Sequence, residues 1–418
     1  MNFGRSNLSA YFKPHNPIGR REIAAVKSVV KTGELSKFIG AKHPNFLGGT
    51  KVQEFENNWK NSFAVNHAIS VNSATSGLIA ALGSVGIEPG DEVITTPWTM
   101  SATATSIVHW CAIPVFADID PKTFCISPDS IESKITSKTK AIIAVDIFGQ
   151  SCDMNKIMEI ARKYKLKVIS DTSQAPGATY NDLLAGTIAD IGVYSLNYHK
   201  HIHTGEGGMV VTNDHEIAEK VRLIRNHAEA VIEFESKEKL ANMIGYNFRM
   251  GEMEAAIGVE QLKKLKSIVE KRQELAIYLN EEISRVDGVS TPYVPISNTH
   301  SYYVYPLVID SEKFRANKVE ISEKLKSRGI QGISPQYQNL HLLPIFQKKI
   351  AYGIGGFPWT TYNNSIDYSK GICPNAEELQ DKTYIGFNIG GFELSVRGVK
   401  KIAKEFVAVF NSLNKRNN

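Results

Sequence analysis

Between about residues 63 and 215, short apolar segments alternate with segments whose apolar residues recur at helical spacing. Seven of the apolar segments have the length and β-branched content of strands: HAISVN, DEVITT, IPVFADI, KAIIAVDIF, LKVISD, IGVYSL and MVVTN. Helix-like segments such as SGLIAALGSVG and MNKIMEIARKYK separate them. Because strands that alternate with helices form βαβ units, we predict an α/β fold whose mostly parallel sheet is covered by helices on both faces.

The pattern changes after residue 251. The segment MEAAIGVEQLKKLKSIVEKRQELAIYLNEEISRV predicts one long helix or two abutting helices, and the remainder mixes strand-like SYYVYPLVI with a closing helix at GVKKIAKEFVAVFNSL. A chain of 418 residues is too long for a single hydrophobic core. We therefore predict an N-terminal arm and helix over residues 1–50, a large α/β domain over 51–265 and a smaller α+β domain over 266–418. The arm's helix, GRREIAAVKSVVK, should end at Thr32-Gly33.

Composition argues against several classes of protein. The 48 basic and 43 acidic residues give a formal net charge of +5, which suits a small anionic ligand but is too mild for a nucleic-acid-binding surface. No apolar run reaches the roughly 18 residues of a membrane span, and the N-terminal MNFGRSNLSAYFK lacks the apolar core of a signal peptide. We therefore expect a cytoplasmic protein without membrane or nucleic-acid partners. The scattered cysteines, which form no CxxC pair and argue against disulfides or a zinc site, are Cys111, Cys125, Cys152 and Cys373.

The segment HAISVNSATSGLIAAL reads as a strand, a turn of small residues and a helix. The first turn of a helix offers unpaired N–H groups and the positive end of its dipole, which together attract phosphate. Ala74, Thr75 and Ser76 are small enough to let a phosphate approach the backbone. An ordinary capped helix, with Ser73 or Thr75 as its N-cap, is the alternative.

Two further segments contribute charged groups. In LKVISDTSQAPGATY, Asp171 stands at the predicted carboxyl end of a strand, where α/β sheets place their ligands, although it also suits a turn cap. In IGVYSLNYHKHIHTGEGGMVVTND, Lys200 lies between two apolar strands. A lysine in a closed site can lose its proton and act as a nucleophile, whereas one in an open loop is simply solvated. The neighbouring His199, His201 and His203 have no second ligand cluster, so we predict no metal site.

The three segments together match the needs of pyridoxal 5′-phosphate. This cofactor requires a phosphate cradle, an acid that keeps its ring nitrogen protonated and a lysine that forms a Schiff base with its aldehyde. The cradle, Asp171 and Lys200 follow one another in that order.

Over nearly its whole length the chain resembles the DegT/StrS-type sugar aminotransferases, which are fold type I pyridoxal-phosphate enzymes. Several long motifs in the same order make this a specific signal. The resemblance implies the fold type I architecture and a homodimer with its site at the subunit interface. The motifs are VQEFENNWKNSFAVNHAISVNSATSGLIAAL, IEPGDEVITTP, IPVFADIDPKTF, DTSQAPGATY, YSLNYHKHIHTGEGGMVVTND, GYNFRMGEMEAAIGVEQLKKL and ICPNAEEL.

The resemblance also implies a role for individual residues. Lys200 would bind the cofactor covalently and transfer protons during the reaction, and Asp171 would pair with the ring nitrogen. Gln174 would lie near the ring hydroxyl, and Asn247 would reach the phosphate of the neighbouring subunit's cofactor. The phosphate would also be bound by Ala74, Thr75, Ser76 and Ser195.

The chain departs from the family pattern at the residue that covers the cofactor ring. An aromatic side chain usually stacks there, but the alignment puts Met100 at that position, with Trp98 two residues away as the alternative. The resemblance places Arg225 and His341 near the substrate; a surface arginine and a partly buried polar histidine are the alternatives. Substrate specificity is expected in loops around residues 1–50, 225–245 and 335–370.

We therefore predict an aminotransferase that works in two half-reactions, with pyridoxamine 5′-phosphate as the intermediate form of the cofactor. By resemblance, L-glutamate would donate the amine to a nucleotide-linked keto-sugar, in the synthesis of a polysaccharide or an antibiotic. One branch of the family carries histidine in place of the lysine and dehydrates its sugar instead. The five-residue interval from Ser195 to Lys200 matches the lysine branch, so we predict a transaminase. A dehydratase of the same family and a non-catalytic regulator with the same fold are the alternatives.

Overall fold

A seven-stranded sheet contains all seven predicted strand segments and lies at the centre of the fold. The computed structural model describes residues 8–41, 43–228, 244–362 and 365–415. The strands lie in the order β1-β7-β6-β5-β4-β2-β3; β7 is antiparallel to both its neighbours, and all other neighbours are parallel. The predicted α/β class is confirmed. The strands are β1 (His67–Val71), β2 (Glu92–Thr95), β3 (Ile113–Phe116), β4 (Thr139–Val145), β5 (Lys167–Asp171), β6 (Ile191–Ser195) and β7 (Gly208–Thr212).

Helices cover both faces of this sheet. Ile142 and Ile143 are neighbours on β4 and point to opposite faces: Ile143 packs with α3, α4 and α7, and Ile142 packs with α5 and α6. Around β7 the second face is covered by α2 and α8. The helices are α1 (Arg20–Thr32), α2 (Thr50–Phe63), α3 (Ala74–Ser84), α4 (Ala102–His109), α5 (Pro128–Ser133), α6 (Met154–Tyr164), α7 (His215–Arg225), α8 (Glu252–Leu262), α9 (Leu265–Ile283), α10 (Lys318–Ser327), α11 (Pro344–Gln347), α12 (Pro374–Glu378) and α13 (Val396–Leu413).

The arm helix and the long helical segment have the predicted form. Helix α1 ends at Gly33, which adopts the left-handed conformation with φ 74°. The segment after residue 251 forms two abutting helices, α8 and α9, and α1 packs on α8. Within the described ranges, no helix combines the length and the apolar content that crossing a bilayer requires.

A second, antiparallel sheet follows in the C-terminal part, in the order β8-β9-β11-β10. Helices α9, α10 and α13 pack on it. Described residues between Leu340 and Leu379 pack instead on the first sheet, where Trp359 and Tyr368 belong to the cluster around Phe116. The domain boundaries proposed from the sequence stay predictions. The strands are β8 (Val289–Ser290), β9 (Tyr305–Ile309), β10 (Ile333–Ser334) and β11 (Tyr384–Phe387), and a separate ribbon joins Thr179–Tyr180, Leu183–Leu184 and Asn298–Thr299.

The packing of α2 against α8 predicts an unusual response to an alanine substitution. A Cβ atom at Gly258 would lie 2.6 Å from Cζ of the Phe55 ring. Alanine favours a helix over glycine by about 1 kcal/mol, but overpacking a core costs about 1–3 kcal/mol. We therefore expect Gly258→Ala to lower the free energy of unfolding in urea, while Glu260→Ala on the same helix changes it little. A more stable Gly258→Ala protein would contradict the close contact.

Candidate active site

The carboxyl ends of β1, β2, β5 and β6 meet at one edge of the large sheet because these strands run in the same direction. A cavity of about 330 Å³ opens there. Seven predicted site residues line it: Ala74, Thr75, Met100, Asp171, Gln174, Ser195 and Lys200.

Lys200 places its amine inside this cavity. Its Nζ lies 4.4 Å from the centre of the Tyr303 ring. Burial lowers the pKa of Lys200 from its ordinary 10.5 to about 8, although the charge of Asp171 opposes that shift. Because a substantial fraction of the amine is then neutral near physiological pH, Lys200 can act as a nucleophile and as a base.

Asp171 ends β5 and is buried, with both carboxylate oxygens hydrogen-bonded. The hydroxyl of Thr103 donates to Oδ2 at 2.8 Å, and the backbone N–H of Ser173 donates to Oδ1 at 3.2 Å. Each oxygen has a second lone pair, so the carboxylate can also bind a cationic nitrogen in the cavity.

Gln174 is oriented by a backbone group. The N–H of Phe148 can only donate, so the side-chain oxygen of Gln174 faces it, at 3.0 Å. The amide nitrogen then donates to the hydroxyl of Tyr337 at 2.9 Å. An amide nitrogen carries a second hydrogen, which leaves one donor for an oxygen of a ligand.

The start of α3 forms an anion cradle. The side chain of Ser73 caps the helix by accepting the N–H of Ser76 at 3.1 Å, so the N–H groups of Ala74 and Thr75 stay available to a ligand in the part of the chain that the structure describes. A Cβ atom at Gly208 would lie 2.7 Å from the nitrogen of Ala74, which explains why glycine occupies the start of β7. The hydroxyl of Ser195 lines the same cavity.

These groups fit pyridoxal phosphate. The cradle suits its phosphate, the free donor of Gln174 suits its ring oxygen, Asp171 suits its ring nitrogen, and Lys200 supplies an amine. No cluster of His, Cys, Asp and Glu suited to a metal ion occurs among the described residues.

Ser76 is not among the residues that line the cavity. Both its N–H and its hydroxyl contact the Ser73 side chain, and its contact with the phosphate stays a prediction. Trp98 is fully buried and packs against Tyr337 and Tyr384. Met100, whose residue surface is 63% exposed, lines the cavity instead.

The two predicted substrate contacts also lie elsewhere. Arg225 is fully buried: its guanidinium is 2.6 Å from the carboxylate of Glu56 and stacks on the Phe38 ring at 4.8 Å. His341 is fully buried as well, with Nε2 2.9 Å from the carboxylate of Glu377. Neither residue lines the cavity. The roles near the substrate that the resemblance implies for both residues stay predictions.

Asn247 is exposed and lies outside the cavity of its own chain. Its side-chain oxygen accepts the Nε–H of Arg249 at 2.8 Å. Its role in a neighbouring subunit stays a prediction. The expected specificity loop around residues 225–245 lies largely outside the described residues, which omit 229–243.

Sequence reasoning missed several residues that line the cavity. Tyr303 and Tyr337 come from the C-terminal part of the chain, and no local pattern connects them to the strand ends. Thr103 did carry a signal, since it lies in the first turn of the helix that follows β2. The other missed residues include Thr99, Asn197, His199 and Glu206.

The sheet order and the cavity at its edge agree with the fold type I class of pyridoxal-phosphate enzymes. Comparison with known proteins agrees with this fold class: the model of the DegT/DnrJ/EryC1/StrS aminotransferase family matches residues 33–378. The chain belongs to this pyridoxal-phosphate-dependent family, and it is an aminotransferase.

Individual relatives are similar over most of their length. The spore coat polysaccharide biosynthesis protein SpsC of Bacillus subtilis is 35% identical over 359 residues, which cover 84% of this chain and 88% of SpsC. A GDP-perosamine synthase of Caulobacter vibrioides is 34% identical over 297 residues, 71% of this chain and 78% of the synthase. The X-ray structure of an aminotransferase from Psychrobacter cryohalolentis matches with a TM-score of 0.83 at 28% identity, covering 96% of this chain and 99% of the other. The resemblance that the sequence motifs indicate is confirmed.

The buried ion pair predicts that Arg225 acts on stability and not on substrate binding. Arg225→Met leaves the carboxylate of Glu56 buried without its partner, which costs about 3–5 kcal/mol. We expect that loss in the free energy of unfolding by urea, with the KM of both substrates unchanged in the folded enzyme. Lys220→Ala removes a more exposed pair with Glu216 on the same helix and should cost less than about 1 kcal/mol. A raised KM in a fully stable Arg225→Met enzyme would restore the substrate role.

Proposed function

We propose that this aminotransferase transfers an amino group from L-glutamate to a nucleotide-linked keto-sugar in amino-sugar biosynthesis. The observation that carries the proposal is the single cavity that combines the cradle at the start of α3 with Asp171 and Lys200. The relatives support the substrate class, since one is named for a GDP-linked amino sugar and another for a coat polysaccharide. The net charge of +5 is compatible with phosphorylated ligands.

The cofactor would be held by groups already described. The N–H groups of Ala74 and Thr75 and the hydroxyl of Ser195 would bind the phosphate, and the free donor of Gln174 would bind the ring oxygen. When bound, pyridoxal phosphate supplies an electron sink for the substrate carbon that carries nitrogen.

Two charged side chains would do the remaining work. The carboxylate of Asp171 would hold a proton on the ring nitrogen, which keeps the ring electron-poor. The amine of Lys200 would first bind the cofactor covalently. Once released, its Nζ would accept a proton from the substrate carbon, hold it and later donate it again. Its lowered pKa, about 8, supports the second role because a base must be unprotonated.

We also propose a homodimer in which Asn247 of one protomer donates to the phosphate bound by its partner. The exposure of Asn247 supports this arrangement, because an amide nitrogen at the surface is a donor that a phosphate of a second copy can accept. Within its own chain, Asn247 does not reach the cavity.

Replacement of Lys200 tests the cofactor assignment. Protein reconstituted with pyridoxal phosphate should show the visible absorption band of a Schiff base, and sodium borohydride should fix the cofactor covalently to a peptide that contains Lys200. Lys200→Ala removes the amine and should abolish both signals. His199→Ala alters an adjacent residue of the same cavity and should retain both. A borohydride-stable adduct in Lys200→Ala would refute the assignment.

The proposed reaction is tested with amino donors and nucleotide-linked keto-sugars. We expect L-glutamate to bleach the visible band and to yield 2-oxoglutarate, after which a keto-sugar should restore the band and gain an amine, measured by mass spectrometry. Release of a deoxy keto-sugar without an amine would identify a dehydratase. Failure of glutamate, with success of another amino acid, would correct only the donor.

A further inference from the structure

The hydroxyl of Thr103 donates a hydrogen bond to Asp171 and not to a carbonyl of its own helix. Thr103 lies in the first turn of α4, which follows β2, whereas Asp171 ends β5, and β4 separates these two strands. Nevertheless, Oγ1 of Thr103 is 2.8 Å from Oδ2 of Asp171. Both residues line the cavity and are buried, with residue exposures of 1% and 5%.

Neighbouring hydroxyls of α4 behave differently. The hydroxyl of Thr105 donates to the carbonyl of Ser101 at 3.1 Å, and that of Ser106 donates to the carbonyl of Thr103 at 2.9 Å. Such bonds back to the preceding turn are the usual arrangement for a hydroxyl in a helix. Because Thr103 bonds to Asp171 instead, its hydroxyl serves the site rather than its own helix.

The direction of the hydrogen bonds is fixed. An ionised carboxylate only accepts, so Thr103 donates to Asp171 and its own oxygen can accept from Thr99, whose hydroxyl is 3.3 Å away. The backbone N–H of Ser173 donates to the other carboxylate oxygen. Two donors on two oxygens set the plane of the carboxylate.

The electrostatic surroundings of Asp171 make these donors important. Lys200 attracts its negative charge, but Asp146 places a second, fully buried carboxyl at the neighbouring end of β4. Tyr337 also lies close enough to interact electrostatically with Asp171. Charged groups of both signs therefore surround Asp171, and the hydrogen bond from Thr103 gives one of its carboxylate oxygens a fixed position among them.

We propose that Thr103 is a positioning residue that holds the carboxylate of Asp171 aimed into the cavity, so that Asp171 can hold the proton on the cofactor's ring nitrogen. This inference rests on the proposed function, because it assigns the Thr103 hydroxyl a purpose only where pyridoxal phosphate binds. It adds a residue that contacts Asp171 rather than the reacting atoms.

Three variants of the full-length holoenzyme test the proposal. Thr103→Val keeps the branched shape but removes the hydroxyl, and Thr103→Ser keeps the hydroxyl. Thr105→Val makes the same change on the same helix, at a residue outside the cavity. Each protein is reconstituted with pyridoxal phosphate labelled with ¹⁵N in its ring, whose chemical shift reports protonation of the ring nitrogen across a pH titration. Cofactor affinity and thermal unfolding of the cofactor-free protein are measured alongside.

In Thr103→Val we expect the ring nitrogen to lose its proton at a lower pH and the cofactor to bind at least about tenfold more weakly, as the loss of one hydrogen bond to a charged group implies. Thr103→Ser and Thr105→Val should match the unaltered protein in both measurements. An unchanged ¹⁵N titration in Thr103→Val would overturn the proposal, even if the variant were less stable, since only packing would then be involved. If the unaltered protein itself binds no cofactor, the proposed function fails and this inference fails with it.

Discussion

The site depends on the common direction of the strands that surround it. Strands β1, β2, β5 and β6 present their carboxyl ends to one edge, so the helix that begins after β1 and the carboxylate that ends β5 face the same space. The single reversal, at β7, places the loop that carries Lys200 between two adjacent antiparallel strands. An amine, a carboxylate and an anion cradle therefore meet without any long side chain having to extend across the sheet.

Three buried charged side chains have different partners, and the partner of each indicates its role. Arg225 has a carboxylate partner at 2.6 Å, so its charge is neutralised and it stabilises the fold. Asp171 has a hydrogen-bond donor on each of its two carboxylate oxygens, which fixes its orientation. The amine of Lys200 has the aromatic ring of Tyr303 beside it, and burial lowers its pKa. Of these three side chains, Lys200 thus has the weakest compensation for burial of its charge, and it is also the one that must lose its proton to act as a base.

The sequence predicted the large sheet well because its information is local. Each strand and most helices carry their own periodicity, and the first turn of α3 and the end of β5 follow from the positions of the elements. The sequence left open whether Ser73 or Thr75 caps α3, because that depends on the rotamers of the two side chains. The ion pair of Arg225 could not be predicted because its partner Glu56 is distant in sequence. Tyr303 and Tyr337 were missed for the same reason, since only the tertiary fold brings them to the cavity.

The polar groups and the two tyrosine rings that line the cavity come from different parts of the chain. The polar groups that suit the cofactor come from the edge of the large sheet, whereas Tyr303 and Tyr337 come from the C-terminal part. The C-terminal part is tied to the first sheet by the bridge between Trp98 and Asn339 and by the packing of Trp359. Changes in its loops can therefore reshape the substrate side while the strand ends keep their geometry. Such a division separates the side of the cavity that fits the cofactor from the side whose shape the C-terminal loops determine.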